Sequence, residues 1–137
     1  METKKFMRLM LVGSIGSSLL GLPYVCQLFE VNSGLMQWGI FSIFIGLLLI
    51  GTSVTWDLTH KTTKYLLAIE FSLLSILQLV PIYYWFVAQP QAMAVTTFTN
   101  AVSNFGYTLP HFVLLFIGVL VVYRLLNKDI IPNLNQG

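Results

Sequence analysis

Glu70 interrupts "KYLLAIEFSLLSILQLVPIYYW" (residues 64–85), a run that is otherwise almost wholly apolar. A carboxylate in apolar surroundings needs a cation, water or a proton. With Tyr65 as the edge of the run, Glu70 lies about 7–8 Å in along a helix rising 1.5 Å per residue. A helical wheel puts it on one face with Leu66, Leu67, Leu74, Leu77 and Pro81, opposite Ala68, Ser72, Ser75 and Leu79. Lys64 is six residues away on a different face, so an i,i+4 pair is unavailable. Arg8 and Arg124 belong to segments whose ends lie level with this end of the run, and either can reach in. One reading makes Glu70 half of an ion pair that fixes helix register. Another makes it a proton- or cation-coupled site, because acids inside membranes often mark ion pathways. A third leaves it in a water-filled vestibule with no specific role.

The remaining reactive side chains are few. Asp57 and His60 in "WDLTHK" are spaced i,i+3 and can offer two metal ligands. Metal sites usually need three or four, and no further His or Cys is near, so turn capping is expected, with Thr62 or Thr63 as N-cap of the following helix. No metal and no cofactor are expected. His111 lies at the opposite end of the chain's apolar segments from His60 and is read as a hydrogen-bonding residue. Together with Gln78, Tyr83 and Tyr84 it can line a pocket. Cys26 is the one cysteine, which excludes an intrachain disulfide; it is a packed small hydrophobe or, alternatively, a bridge between two chains. There is no CxxC, no HExxH, no phosphate-binding glycine loop and no Gly-x-Ser-x-Gly.

The elements that carry these residues follow from composition. The chain has 137 residues, 56% hydrophobic and only 9% charged. Soluble domains carry about 25% charged residues, so lipid must solvate much of this surface. The net charge of +2 gives no case for nucleic acid. A spanning helix needs about 20 mostly apolar residues, and four stretches qualify: residues 6–29, 38–56, 65–87 and 107–126. Trp38 and Trp56 bracket the second, and the 18 steps between them give about 27 Å of helix, close to the hydrocarbon thickness. The first stretch resembles a signal peptide, yet no small-x-small exit site precedes Cys26, and Val25 is too bulky to precede a lipoprotein cysteine. It is read as an uncleaved span.

The charges orient the spans. Lys4, Lys5 and Arg8 open the first, Lys61 and Lys64 lie between the second and third, and Arg124 and Lys128 close the fourth. All seven basic residues therefore fall on one side, and the opposite loops hold only Glu30. The positive-inside rule puts both termini in the cytoplasm. The expected fold is a single transmembrane domain, residues 1–137: an all-α, four-helix, antiparallel up-down bundle in the plasma membrane. Residues 88–106 form either a short amphipathic helix on the outer surface, on the i+4 spacing of Met93, Thr97, Ala101 and Phe105, or an irregular loop.

Packing signals recur. Gly13, Ser17 and Gly21 repeat every four residues, Ser14 and Ser18 form a second row, and Ser42 and Gly46 repeat the pattern in span two. Small residues let helices approach closely, within the monomer or in a homodimer. Pro23 and Pro81 free the carbonyls of Leu19 and Leu77, whereas Pro110 is expected in the first turn of span four, where it costs nothing.

Three functional classes fit. The favoured expectation is a non-catalytic accessory, assembly or immunity-type partner of another membrane protein, acting through protein–protein contacts. The alternatives are an oligomeric transporter or channel subunit using Glu70, and an intramembrane enzyme acting on a lipophilic substrate. The expected partners are the lipid bilayer and a membrane protein or a second copy of the chain.

Overall fold

A computed structural model describes residues 3–28, 33–55, 61–89 and 98–127, and these are all-helical with no strand. The elements are α1 (Thr3–Val25), α2 (Ser33–Thr55), α3 (Lys61–Leu77), α4 (Leu79–Tyr83), a π-helical turn (Tyr84–Ala88) and α5 (Phe98–Leu126). Four stretches are long and apolar enough to cross a membrane: Lys4–Val25, Ser33–Val54, Lys61–Ala88 and Ala101–Leu126.

The boundaries depart from the expectation in ways that trace to single residues. The first helix stops at Val25, short of 29, because the chain turns left-handed at Gln27 (φ 58°). Gln27 N–H then donates to Tyr24 O (3.4 Å) and Leu28 N–H to Pro23 O (2.9 Å), the paired bonds of a Schellman cap. The fourth helix starts at Phe98, so residues 98–106 are its opening turns, continuous with it, and no separate helix forms there. Met93 and Thr97 lie outside the described residues, as do Trp56, Asp57 and His60. Pro110 consequently falls inside α5, not in its first turn. Thr62 and Thr63 sit within α3, which already runs from Lys61, so neither is its N-cap.

The third stretch is broken in the middle, and the break is written in two residues. At Gln78 the backbone N–H turns to Ser75 O (3.2 Å), and the side-chain amide of Gln78 donates to the Leu74 carbonyl in its place (3.0 Å). Pro81 has no N–H for the Leu77 carbonyl, and Trp38 Nε1–H of α2 donates to that carbonyl at 2.7 Å. The chain thus re-satisfies its own irregular backbone with side chains, as a buried break requires.

Small residues decide how the helices approach. α1 packs chiefly on α2, and α3 on α5. Ser17 and Ser42 clasp each other reciprocally: Ser17 Oγ donates to Ser42 O (2.9 Å) and Ser42 Oγ to Ser17 O (2.7 Å). A Cβ on Gly39 would stand 2.7 Å from Gly21 O, so only glycine fits this crossing. Ser14 and Ser18 pack on Gly46, and Ser18 Oγ donates to Ile43 O at 3.1 Å. Gly13 breaks from the row, facing Ile117 of α5 and Phe71 of α3. Two apolar clusters result. The larger joins Phe6 and Met10 of α1, Leu49 of α2, Leu67 and Phe71 of α3 and Val121 of α5. The second gathers Tyr24, Leu35, Trp38 and Trp85.

Candidate functional site

The second cluster encloses a hydrogen-bonded chain of side chains drawn from three of the four long stretches. α1 supplies Tyr24, one turn before its cap. The broken third stretch supplies Gln78 at the break and Trp85 in the π-helical turn, and α5 supplies His111. A π-helical turn shifts the residues after it around the helix axis. Trp85 Nε1–H donates to Tyr24 Oη at 2.9 Å. Tyr24 Oη is 2.8 Å from His111 Nε2, and His111 Nδ1 is 2.8 Å from Gln78 Oε1.

The donors and acceptors of this chain can be assigned one after another. The Leu74 carbonyl only accepts, so the Gln78 atom facing it is the NH₂ and the atom facing His111 is the amide oxygen. An amide oxygen only accepts, so His111 carries its proton on Nδ1. A neutral imidazole then has an acceptor at Nε2, which Tyr24 Oη–H fills. All four bonds run in one direction, from the Trp85 indole to the Leu74 carbonyl. Trp38 lies edge-on to both Tyr24 (centroids 5.2 Å apart) and His111 (5.3 Å), which closes apolar surface over the chain. A cavity of about 110 Å³, lined by Leu20, Pro23, Tyr24, Tyr107, Pro110 and His111, adjoins it. That is space for a few waters at about 30 Å³ each.

Of the residues expected to line a pocket at this end, Gln78 and His111 are brought into direct contact. Tyr84 packs against the aromatic cluster from its edge, and Tyr83 points away, 59% exposed. Tyr24, Trp38 and Trp85 were not singled out by the sequence as site residues. The signal that bears on them is Pro81: a freed carbonyl in an apolar segment demands a donor, and indole N–H groups are the donors an apolar sequence still has. Both ring nitrogens of His111 are engaged within the protein, Nε2 by Tyr24 and Nδ1 by Gln78.

Glu70 sits in the other half of the molecule, 4% exposed. The expected pairing with Arg8 or Arg124 is not made: among the described residues Glu70 has one hydrogen-bond partner, Thr52 of α2, whose Oγ1 lies 3.1 Å from Oε1. Arg8 is exposed on α1. Glu70 Oε2 and Arg124 Nε are each buried with no hydrogen-bond partner among the described residues. Thr52 Oγ1 is also 3.0 Å from Leu48 O, and its single hydrogen has two acceptors to serve. Gly13, Ser17, Gly21, Ser42 and Gly46 all lie in helix contacts inside the monomer. Cys26 is a free, exposed thiol just past α1. Among the described residues no three His, Cys, Asp or Glu side chains gather into a set that can hold a metal. No family model, no curated protein and no solved structure matches the chain.

Proposed function

We propose that the chain is a membrane-embedded, non-catalytic partner of another membrane protein: an accessory, assembly or immunity-type subunit. The observation that carries this reading is the side-chain relay from Trp85 through Tyr24, His111 and Gln78 to the Leu74 carbonyl. These side chains bond to one another and hold the broken third stretch against α1 and α5. A satisfied buried network of this kind rigidifies a core. A rigid scaffold with an apolar exterior suits a protein that presents a shape to a partner.

Its setting in this reading is the plasma membrane, as an antiparallel up-down bundle with both termini in the cytoplasm. The contacts Gly21–Gly39, Ser17–Ser42 and Ser14–Gly46 step in opposite senses along α1 and α2, which supports antiparallel neighbours. The confinement of Lys and Arg to one side supports the orientation, and Phe41, Phe44 and Phe116 on the outer surface suit contact with lipid. The test is affinity isolation of the tagged chain from its native membranes in mild detergent. A second membrane protein recovered in near-equal amount is the expected result; a chain that purifies alone and carries out a flux or turnover alone contradicts the reading.

One observation favours a second reading, a transporter or channel subunit. Glu70 is buried with one oxygen unpartnered, which suits a site that takes up a proton or cation. In reconstituted vesicles Glu70→Gln would then abolish a flux that the unaltered chain supports, and an undiminished flux removes this reading.

A further inference from the structure

We propose that a groove between α3 and α5 is a binding site for an anionic phospholipid, with the headgroup at Lys61 and an acyl chain lying along Ile76 and Val119. This rests on the membrane-spanning reading and is independent of which protein the chain accompanies. The groove has a volume of about 860 Å³ and is walled by Ser72, Ser75 and Ile76 on one side and by Val119, Val122 and Tyr123 on the other. Small-molecule sites fall at about 300–1,000 Å³. A second cavity of about 390 Å³ shares Ser72, Val122 and Leu126 with it and extends it to Ile69 and Tyr65.

The groove is polar at one end and apolar along the rest. Lys61, Tyr65, Ile69, Ser72 and Ile76 follow at steps of four, four, three and four, a single helical stripe. The Lys61 ammonium lies 5.8 Å from the centre of the Tyr65 ring, which places the cation at the Tyr65 end. On the opposite wall, Asn127 Nδ2–H donates to Tyr123 Oη at 3.4 Å, putting a phenol and an amide at that end too. Farther along, the serines contribute little polarity. Ser72 Oγ–H donates to Ala68 O (2.7 Å) and Ser75 Oγ–H to Leu115 O (3.1 Å), so the hydroxyls are spent on backbone. Among the described residues no acidic side chain lines either cavity. A cation with aromatic hydroxyls at the interface and an apolar trough beyond it complement a phosphate headgroup and its hydrocarbon chain. The Lys61 end belongs to the basic side of the chain, so the lipid belongs to that leaflet.

The full-length chain, stripped of lipid in mild detergent, is given phosphatidylglycerol or phosphatidylcholine, and bound lipid is counted by native mass spectrometry. One retained phosphatidylglycerol per chain is expected, preferred about fivefold over phosphatidylcholine, the effect of one lysine near an anionic lipid. Lys61→Gln removes the preference while a lipid is still held. Val119→Trp, or Ile76→Trp from the facing wall, fills the trough and lowers retention of both lipids about tenfold. Equal retention of the two lipids by the unaltered chain, an unchanged preference in Lys61→Gln, or unchanged retention in both Trp variants overturns the proposal. So does a lipid-free dimer that the Trp variants dissociate, which would assign the groove to a second copy.

Discussion

At the scale of single residues, Tyr24 is the hinge of the relay: it accepts from Trp85 and donates to His111. Tyr24→Phe keeps the ring and removes both bonds. Interhelical hydrogen bonds inside membranes are worth about 0.6 kcal/mol on average and up to about 1.7, so Tyr24→Phe is expected to cost about 1–2 kcal/mol of stability, read as a lowered unfolding temperature in detergent. Combined with Trp85→Phe it should cost less than the two single changes summed, because both remove one shared bond. Strict additivity would mean that the bond contributes nothing. Glu70 was legible as an anomaly in the sequence, and its burial follows from its place on the Leu67–Leu74 face. Its partner was not legible. Opposite charge is the partner a carboxylate calls for, and Thr52, a hydroxyl on the neighbouring helix, carries no signal in the sequence, because distance along the chain says nothing about which turn of α2 comes alongside.

At the scale of elements, the glycines divide by what they touch. Gly39 lies where a Cβ would meet the Gly21 carbonyl at 2.7 Å, whereas a Cβ on Gly51 would meet no described atom within 4 Å. Gly39→Ala is expected to push α1 from α2 and cost about 1–3 kcal/mol. Gly51→Ala should leave stability unchanged or raise it by about 0.5–1 kcal/mol, through the entropy of a helical glycine. Thermal unfolding of both variants in one detergent checks the contrast, and equal effects would contradict the crossing described. A second test concerns the break in the third stretch. Pro81→Ala restores an N–H that can reach Leu77 O and compete with the Trp38 indole. The expected outcome is a shifted Trp38 emission and slower amide exchange around residues 77–81. The helix-forming stretches themselves were readable from apolar run length, since length and hydropathy are local. Their ends were less so: the start of α5 at Phe98 is hidden because an uncharged segment such as "FTNAVSNFG" reads equally well as a loop or as the first turns of a helix. Trp38 shows the same limit. As a tryptophan at the edge of an apolar run it reads as an interfacial anchor, and its second role, closing the Pro81 gap from another helix, depends on tertiary contact.

At the scale of the whole molecule, the charge asymmetry makes an orientation prediction independent of any function. Cys26 is exposed just past α1, at the end remote from the basic residues. In intact cells it should react with a membrane-impermeant maleimide. A Lys61→Cys chain with Cys26→Ser should react only after permeabilisation, and the reverse pattern would invert the proposed topology. In the proposed reading, apolar helices, a satisfied polar relay and glycine-close crossings form a scaffold that presents a shape to another membrane protein. The most direct measurement is native electrophoresis of mildly solubilised membranes, with mass spectrometry of the band that contains the chain. The account predicts that the chain migrates with a second membrane protein in fixed proportion. Migration at the size of its own monomer or homo-oligomer, with no other protein in the band, would contradict it.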